Sequence, residues 1–166
     1  QKKYVEAENS INNFLNDYPQ SKYANEVKNL LIKMYVDKSE FVKAFETCIT
    51  FVETSSSIVF KNETKNIAEK IAWGNLKSSD VEQYIDKYST LKPFLILLTG
   101  KLYLAEGDNS EALKKFDDIT SNYKTSEEYV DALNLKKSIG DSQTTAGFPV
   151  VGVLLSLTDD NGREIE

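Results

Sequence analysis

Apolar positions recur along the chain in one pattern: a small or slender residue, an apolar residue four on, another seven on, and a turn or helix-breaking residue twelve on. The instances are Ala7/Ile11/Phe14/Pro19, Ala44/Cys48/Phe51/Ser56, Val81/Ile85/Tyr88/Pro93 and Ala112/Phe116/Ile119/Lys124. Successive anchors stand 44 − 7 = 37, 81 − 44 = 37 and 112 − 81 = 31 residues apart. Positions 0, 4 and 7 share one stripe of a helix, and the last falls where the helix should stop. Any amphipathic helix has one such stripe. Four in near register point instead to a helix-turn-helix unit repeated every ~34 residues. The expected fold is all-α, a solenoid of helical repeats.

Punctuation between the stripes divides the chain further. Tyr4 to Tyr18 reads as a helix closed by Pro19, and Tyr23 to Val36 pairs with Phe41 to Glu53 around the Asp37-Lys38-Ser39 turn. A third pair is expected over Ile58 to Trp73, ended by Gly74, and Ser79 to Tyr88, opened by a Ser79-x-x-Glu82 capping box. The last pair, Pro93 to Glu106 and Ser110 to Tyr123, turns at Gly107-Asp108, with Asn109 or Ser110 able to cap its second helix. A further helix from Ser126 to Ser138, ending at Ile139-Gly140, would cap the stack with a polar outer face.

Charge and residue inventory narrow the chemistry. The net charge is −6, from 26 acidic and 20 basic residues, and no basic run interleaves with aromatics, so nucleic acid is not an expected partner. No apolar run reaches the length of a membrane span, so no direct membrane insertion is expected. The chain contains no His, which removes the usual general base, His-containing triads and most metal sites. Cys48, the single cysteine, sits in a helix stripe and reads as a buried small hydrophobe. Adjacent carboxylates such as Asp117/Asp118 diverge by about 100° on a helix and cannot jointly embrace a substrate. No enzyme activity, metal or cofactor is expected.

In the last pair Gly100, Tyr103, Gly107, Ala112 and Phe116 match a small residue, a Tyr three on, a turn Gly, then Ala-x-x-x-Phe. This resembles the tetratricopeptide repeat, with Ile96 where that family favours Trp and Lys124 where it favours Pro. Tyr18-Pro19-Gln20-Ser21-Lys22-Tyr23-Ala24, followed by Tyr35, Phe41 and Ala44, is similar to a junction found in bacterial envelope tetratricopeptide proteins, among them barrel-assembly lipoproteins and cell-division coordinators. The resemblance implies a location in the periplasm or cell envelope.

The C-terminus changes character. After the polar stretch Asp141 to Gly147, the run Phe148 to Asp159 reads as a buried strand of the kind that opens an α/β domain. Val151 to Leu157 resembles the first strand of type I periplasmic ligand-binding receptors, with Ser156 where that family usually has Pro. Helical repeats followed by such a strand resemble penicillin-binding-protein activator lipoproteins. The expected organisation is therefore a repeat domain over 1–140, a linker over 141–149, and the first strand and loop of a truncated receptor-like domain over 150–166. That strand could pair a second copy through its open edges. The chain begins at Gln1 rather than Met, so a natural N-terminus ahead of it is expected; Tyr4 and Ala7 match the second helix of a unit, whose partner helix either lies upstream or is absent, leaving an apolar flank around Ile11 and Phe14 to seek a contact.

Stacked units create a concave face. The resemblance places on it Glu26, Asn29, Lys33 and Val36 from one unit and Phe94, Leu97, Lys101 and Leu104 from another. The expected function is a non-enzymatic interaction scaffold that docks a protein partner there, with an envelope or peptidoglycan-synthesis protein as the implied class. The alternative is a spacer or dimerisation domain of a solute-binding receptor used in transport or sensing.

Overall fold

Helices form over three of the four apolar stripes, and the third stripe runs from a short helix into the turns that follow it. The computed structural model describes the backbone of residues 2–145 and the side chains of 3–140. The strand expected over 150–166, the dimer contact drawn from it and residues 146–149 of the expected linker lie outside the described residues, whereas 141–145, expected as linker, continue the last helix. Within them the chain is all-α: α1 (Lys2–Asp17), α2 (Ala24–Asp37), α3 (Phe41–Thr54), α4 (Ile58–Asn75), α5 (Ser78–Glu82), α6 (Lys92–Ala105), α7 (Asn109–Asn122) and α8 (Tyr129–Thr145).

Most successive helices pack on one another: α1 on α2, α2 on α3, α3 on α4, α5 on α6, α6 on α7 and α7 on α8. Polar ties also link alternate helices. Among the odd-numbered ones, Glu8 of α1 meets Lys43 of α3 at 2.7 Å, and Glu82 of α5 pairs with Lys115 of α7. Among the even-numbered ones, Lys28 of α2 lies 5.4 Å from the Phe60 ring centre of α4, and Glu69 of α4 meets Lys101 of α6 at 3.0 Å.

Three of the four stripes supply the core between these helices. Ala44 and Cys48, Val81 and Ile85, and Ala112, Phe116 and Ile119 are all buried. In the first stripe only Ile11 is buried, and Ala7 is exposed. Gly100 and Ala112 mark the close approach of α6 to α7: a Cβ on Gly100 would stand 2.6 Å from Phe116 Cε1. Any larger side chain would force these helices apart.

Two turns repeat atom for atom. Ser39, after α2, has φ 58°, and Gly107, after α6, has φ 84°. In the first turn Glu40 N–H donates to the Tyr35 carbonyl at 2.9 Å, and in the second Asp108 N–H donates to the Tyr103 carbonyl at 2.8 Å. Each bond closes a helix C-terminus through a left-handed residue. The offset between the turns, 107 − 39 = 68, equals that between the anchors Ala44 and Ala112, 112 − 44 = 68.

Several boundaries differ from the sequence reading. The helix expected over Ser79 to Tyr88 is α-helical only through Glu82; the bonds then shorten to three-residue turns, Ile85 N–H to the Glu82 carbonyl and Lys87 N–H to that of Tyr84. These tighter turns still bury Tyr84 and Ile85. The Ser79/Glu82 capping box does not form. Asp80 accepts from the Lys77 N–H at 2.9 Å, while the buried Ser78 donates its N–H and hydroxyl to the distant Glu106 carboxylate at 2.7 and 2.6 Å. Gly74 does not end α4, which runs to Asn75 with the side-chain amide of Asn75 bonded back to the Ile71 carbonyl. Asp108, not Asn109 or Ser110, caps α7 by accepting from the Glu111 N–H at 3.0 Å. α8 begins at Tyr129, after turns at Ser126, and continues past Gly140 to Thr145.

Candidate docking groove

A paired surface depression stems from side-chain spacing on α4 and α6. Along α4, Val59, Glu63, Asn66, Lys70 and Trp73 succeed one another at intervals of four and three, so they share one stripe. Along α6, Phe94, Leu97, Lys101 and Leu104 do the same. Two adjoining depressions lie where these stripes face α8, and both are lined by Asn66, Glu69 and Lys101. The larger, about 630 Å³, adds Lys70, Trp73, Leu104 and Leu135. The smaller, about 280 Å³, adds Asn62, Lys65, Phe94, Leu97 and three carboxylates, Glu127 and Glu128 just before α8 and Asp131 in its first turn.

Chemically the two ends differ. Trp73, 57% exposed, stands with Leu104 and Leu135 at one end and gives it an apolar wall. Between the ends, Lys101 Nζ reaches Glu69 Oε1 at 3.0 Å and closes the floor with a neutral pair. At the other end Lys65 lies 5.3 Å from the Phe94 ring centre and 3.6 Å from both Glu127 and Glu128. One lysine thus faces three carboxylates there, and Asp131 is exposed.

The eight residues anticipated for a binding face divide. Phe94, Leu97, Lys101 and Leu104 all line the paired depressions, although Leu97 is mostly buried. Glu26 and Asn29 line a separate hollow of about 240 Å³ with Val59 and Glu63, the opposite end of the same α4 stripe. Lys33 lies elsewhere, in a groove between α1 and α2 with Tyr4, Ile11, Leu30 and Met34. Val36 is half-buried against the core. Sequence reasoning misses Trp73, which reads there only as the last residue of a helix. The available signal is its place on the stripe with Asn66 and Lys70.

A second polar feature occurs twice. The Tyr35 hydroxyl donates to Glu8 Oε1 at 2.7 Å, and Lys43 Nζ reaches the same oxygen at 2.7 Å. The Tyr103 hydroxyl donates to Glu82 Oε2 at 2.7 Å, and Lys115 bonds Glu82 Oε1. Glu8 and Glu82 each stand one residue after a stripe anchor, Ala7 and Val81, and Tyr35 and Tyr103 each stand nine residues before one, Ala44 and Ala112. Each triad pins three successive elements, α1–α2–α3 or α5–α6–α7. The lysine and then the tyrosine bond hold both carboxyls below the usual glutamate range.

Burial pushes the Cys48 thiol up to about 12, so it stays protonated. Among the described residues no three His, Cys, Asp or Glu side chains are placed to hold a metal ion, and no helix is long and apolar enough to cross a membrane. No family model, no curated protein and no solved structure matches this chain.

Proposed function

We propose that the chain is a non-enzymatic scaffold that docks a segment of a partner protein in the α4/α6/α8 groove. In this reading the helices stack as a tetratricopeptide-like solenoid, with odd-numbered helices in one row and even-numbered helices in the other, and the groove belongs to the even row. The 68-residue offset shared by turns and anchors and the ties between alternate helices support the stacking. The observation that carries the docking is the exposed Trp73 beside Leu104 and Leu135 in a depression of about 630 Å³. An indole held on a rigid helix offers a large contact area at little entropic cost, and such aromatics dominate binding energy at protein interfaces. The similarity of the Tyr18–Ala24 junction to bacterial envelope proteins supports placing the scaffold in the periplasm or cell envelope, with an envelope protein as partner.

Trp73 is the only tryptophan, so its fluorescence reports on the groove alone. A library of random 12-residue peptides displayed on phage, selected on the full chain and counter-screened on Trp73→Ala, tests the proposal. Peptides that bind the natural chain, shift its emission to the blue and lose at least about tenfold in affinity on Trp73→Ala are expected. Binders indifferent to Trp73→Ala would remove the groove from the account.

The alternative, a dimerisation or spacer domain of a solute-binding receptor, is favoured by one observation. The α1/α2 groove is lined by Tyr4, Leu30 and Met34, and Tyr4 and Leu30 are each about half exposed. A concentration-dependent dimer in sedimentation velocity that Leu30→Glu abolishes would support this second reading.

A further inference from the structure

We infer that the segment docked in the α4/α6/α8 groove is basic as well as apolar, with a large apolar side chain at Trp73 and a lysine or arginine at Asp131. This rests on the docking reading and adds to it the polarity of the partner. From Phe94 to Leu104 the α6 wall of the groove rises about 15 Å, long enough to hold two separate anchors of one short segment. At the Phe94 end of that length Glu127, Glu128 and Asp131 face one lysine, Lys65, whose distances to Glu127 and Glu128 are both 3.6 Å. Lys65 answers one charge and leaves an excess of two. Asp131 is exposed on the groove side of α8, with its carboxylate available to a cation.

The middle of the groove carries no net charge, because Glu69 and Lys101 pair across it. The apolar end has one cation, Lys70, so an acidic side chain has a partner only beside Trp73 and meets repulsion toward Asp131. The polarity of the occupant is therefore directional: apolar at the Trp73 end, cationic at the Asp131 end. The whole chain carries a net charge of −6, which attracts a basic segment at long range and repels an acidic one. Like charge against the Asp131 end also selects against anionic surfaces such as phosphate-bearing lipids or nucleic acid.

A charge swap tests this directly on the full chain. Peptides from the phage selection whose binding depends on Trp73 are sequenced, synthesised and titrated against the natural chain and against Glu127→Lys/Asp131→Lys, with circular dichroism to check that the variant is folded. Enrichment of Lys or Arg beside a large apolar residue is expected, with affinity falling about tenfold or more on the double variant and at raised salt. Replacing the peptide's basic residues by Glu should abolish binding to the natural chain and restore it on the double variant. Trp73-dependent peptides without basic residues, or with affinities unmoved by both reversals, would overturn the polarity while leaving the docking groove intact. Failure to find any Trp73-dependent peptide would overturn the docking reading itself, and this inference with it.

Discussion

At Gly100 two opposed effects can be weighed by size. Alanine in a helix interior is favoured over glycine by about 1 kcal/mol, but the added methyl would meet Phe116 Cε1 at 2.6 Å. Phe116 is fully buried and cannot swing away, and overpacking a filled core costs about 1–3 kcal/mol. Gly100→Ala should therefore destabilise, by about 1 kcal/mol, as a lowered urea midpoint at unchanged slope. Thr64 makes the opposite case. Its hydroxyl is fully buried and without a hydrogen-bond partner, so Thr64→Val removes a desolvated polar atom at nearly constant volume and should stabilise by about 1 kcal/mol in the same measurement. Cys48, buried with its thiol pushed up to about 12, should resist a thiol reagent in the native chain and react at once in denaturant.

At the scale of helices, the Tyr–Glu–Lys triads join three elements at a time, and their response to pH has a defined sign. Glu8 and Glu82 have folded-state values below the usual glutamate range, so their stabilisation is complete above that range and disappears as the pH falls through the lowered values. The urea midpoint should decline as the pH is taken from neutral into the acid limb. Glu8→Gln/Glu82→Gln should start lower at neutral pH and fall less steeply; a parallel decline would assign the acid sensitivity to other carboxyls. The partial exposure of both lysine–glutamate pairs keeps each triad modest in energy. These links also separate what the sequence discloses from what it conceals. Stripe anchors, the Gly100/Phe116 approach and the Gly107 turn are legible because they depend on spacing within one or two helices. The triads, the capping of α5 by Glu106 and the exposed position of Trp73 are not, because each joins or faces elements 20 or more residues apart and no local pattern encodes the pairing. The shortened α5 is hidden for a related reason: Tyr84 and Ile85 keep an apolar rhythm that serves helical and three-residue turns alike.

At the scale of the molecule, a row of anchors at near-regular intervals builds the helices, and the side chains left over on α4, α6 and α8 form the groove proposed to dock a partner. Half of the binding-face residues named from sequence converge there, the four on α6, while Lys33 and Val36 lie elsewhere and Glu26 and Asn29 sit at the far end of the α4 stripe. Because Trp73 is largely exposed, the emission of the free chain should lie near that of an indole in water, and Trp73→Ala should leave the stability within about 0.5 kcal/mol of the natural chain's. The most direct test of the docking surface is an amide chemical-shift map of the isotope-labelled chain titrated with a selected peptide. Shifts concentrated on α4, α6 and the first turns of α8, around Asn66, Trp73, Lys101 and Asp131, are expected; shifts confined to α1 and α2, or to the odd-numbered helices, would rule out docking in this groove.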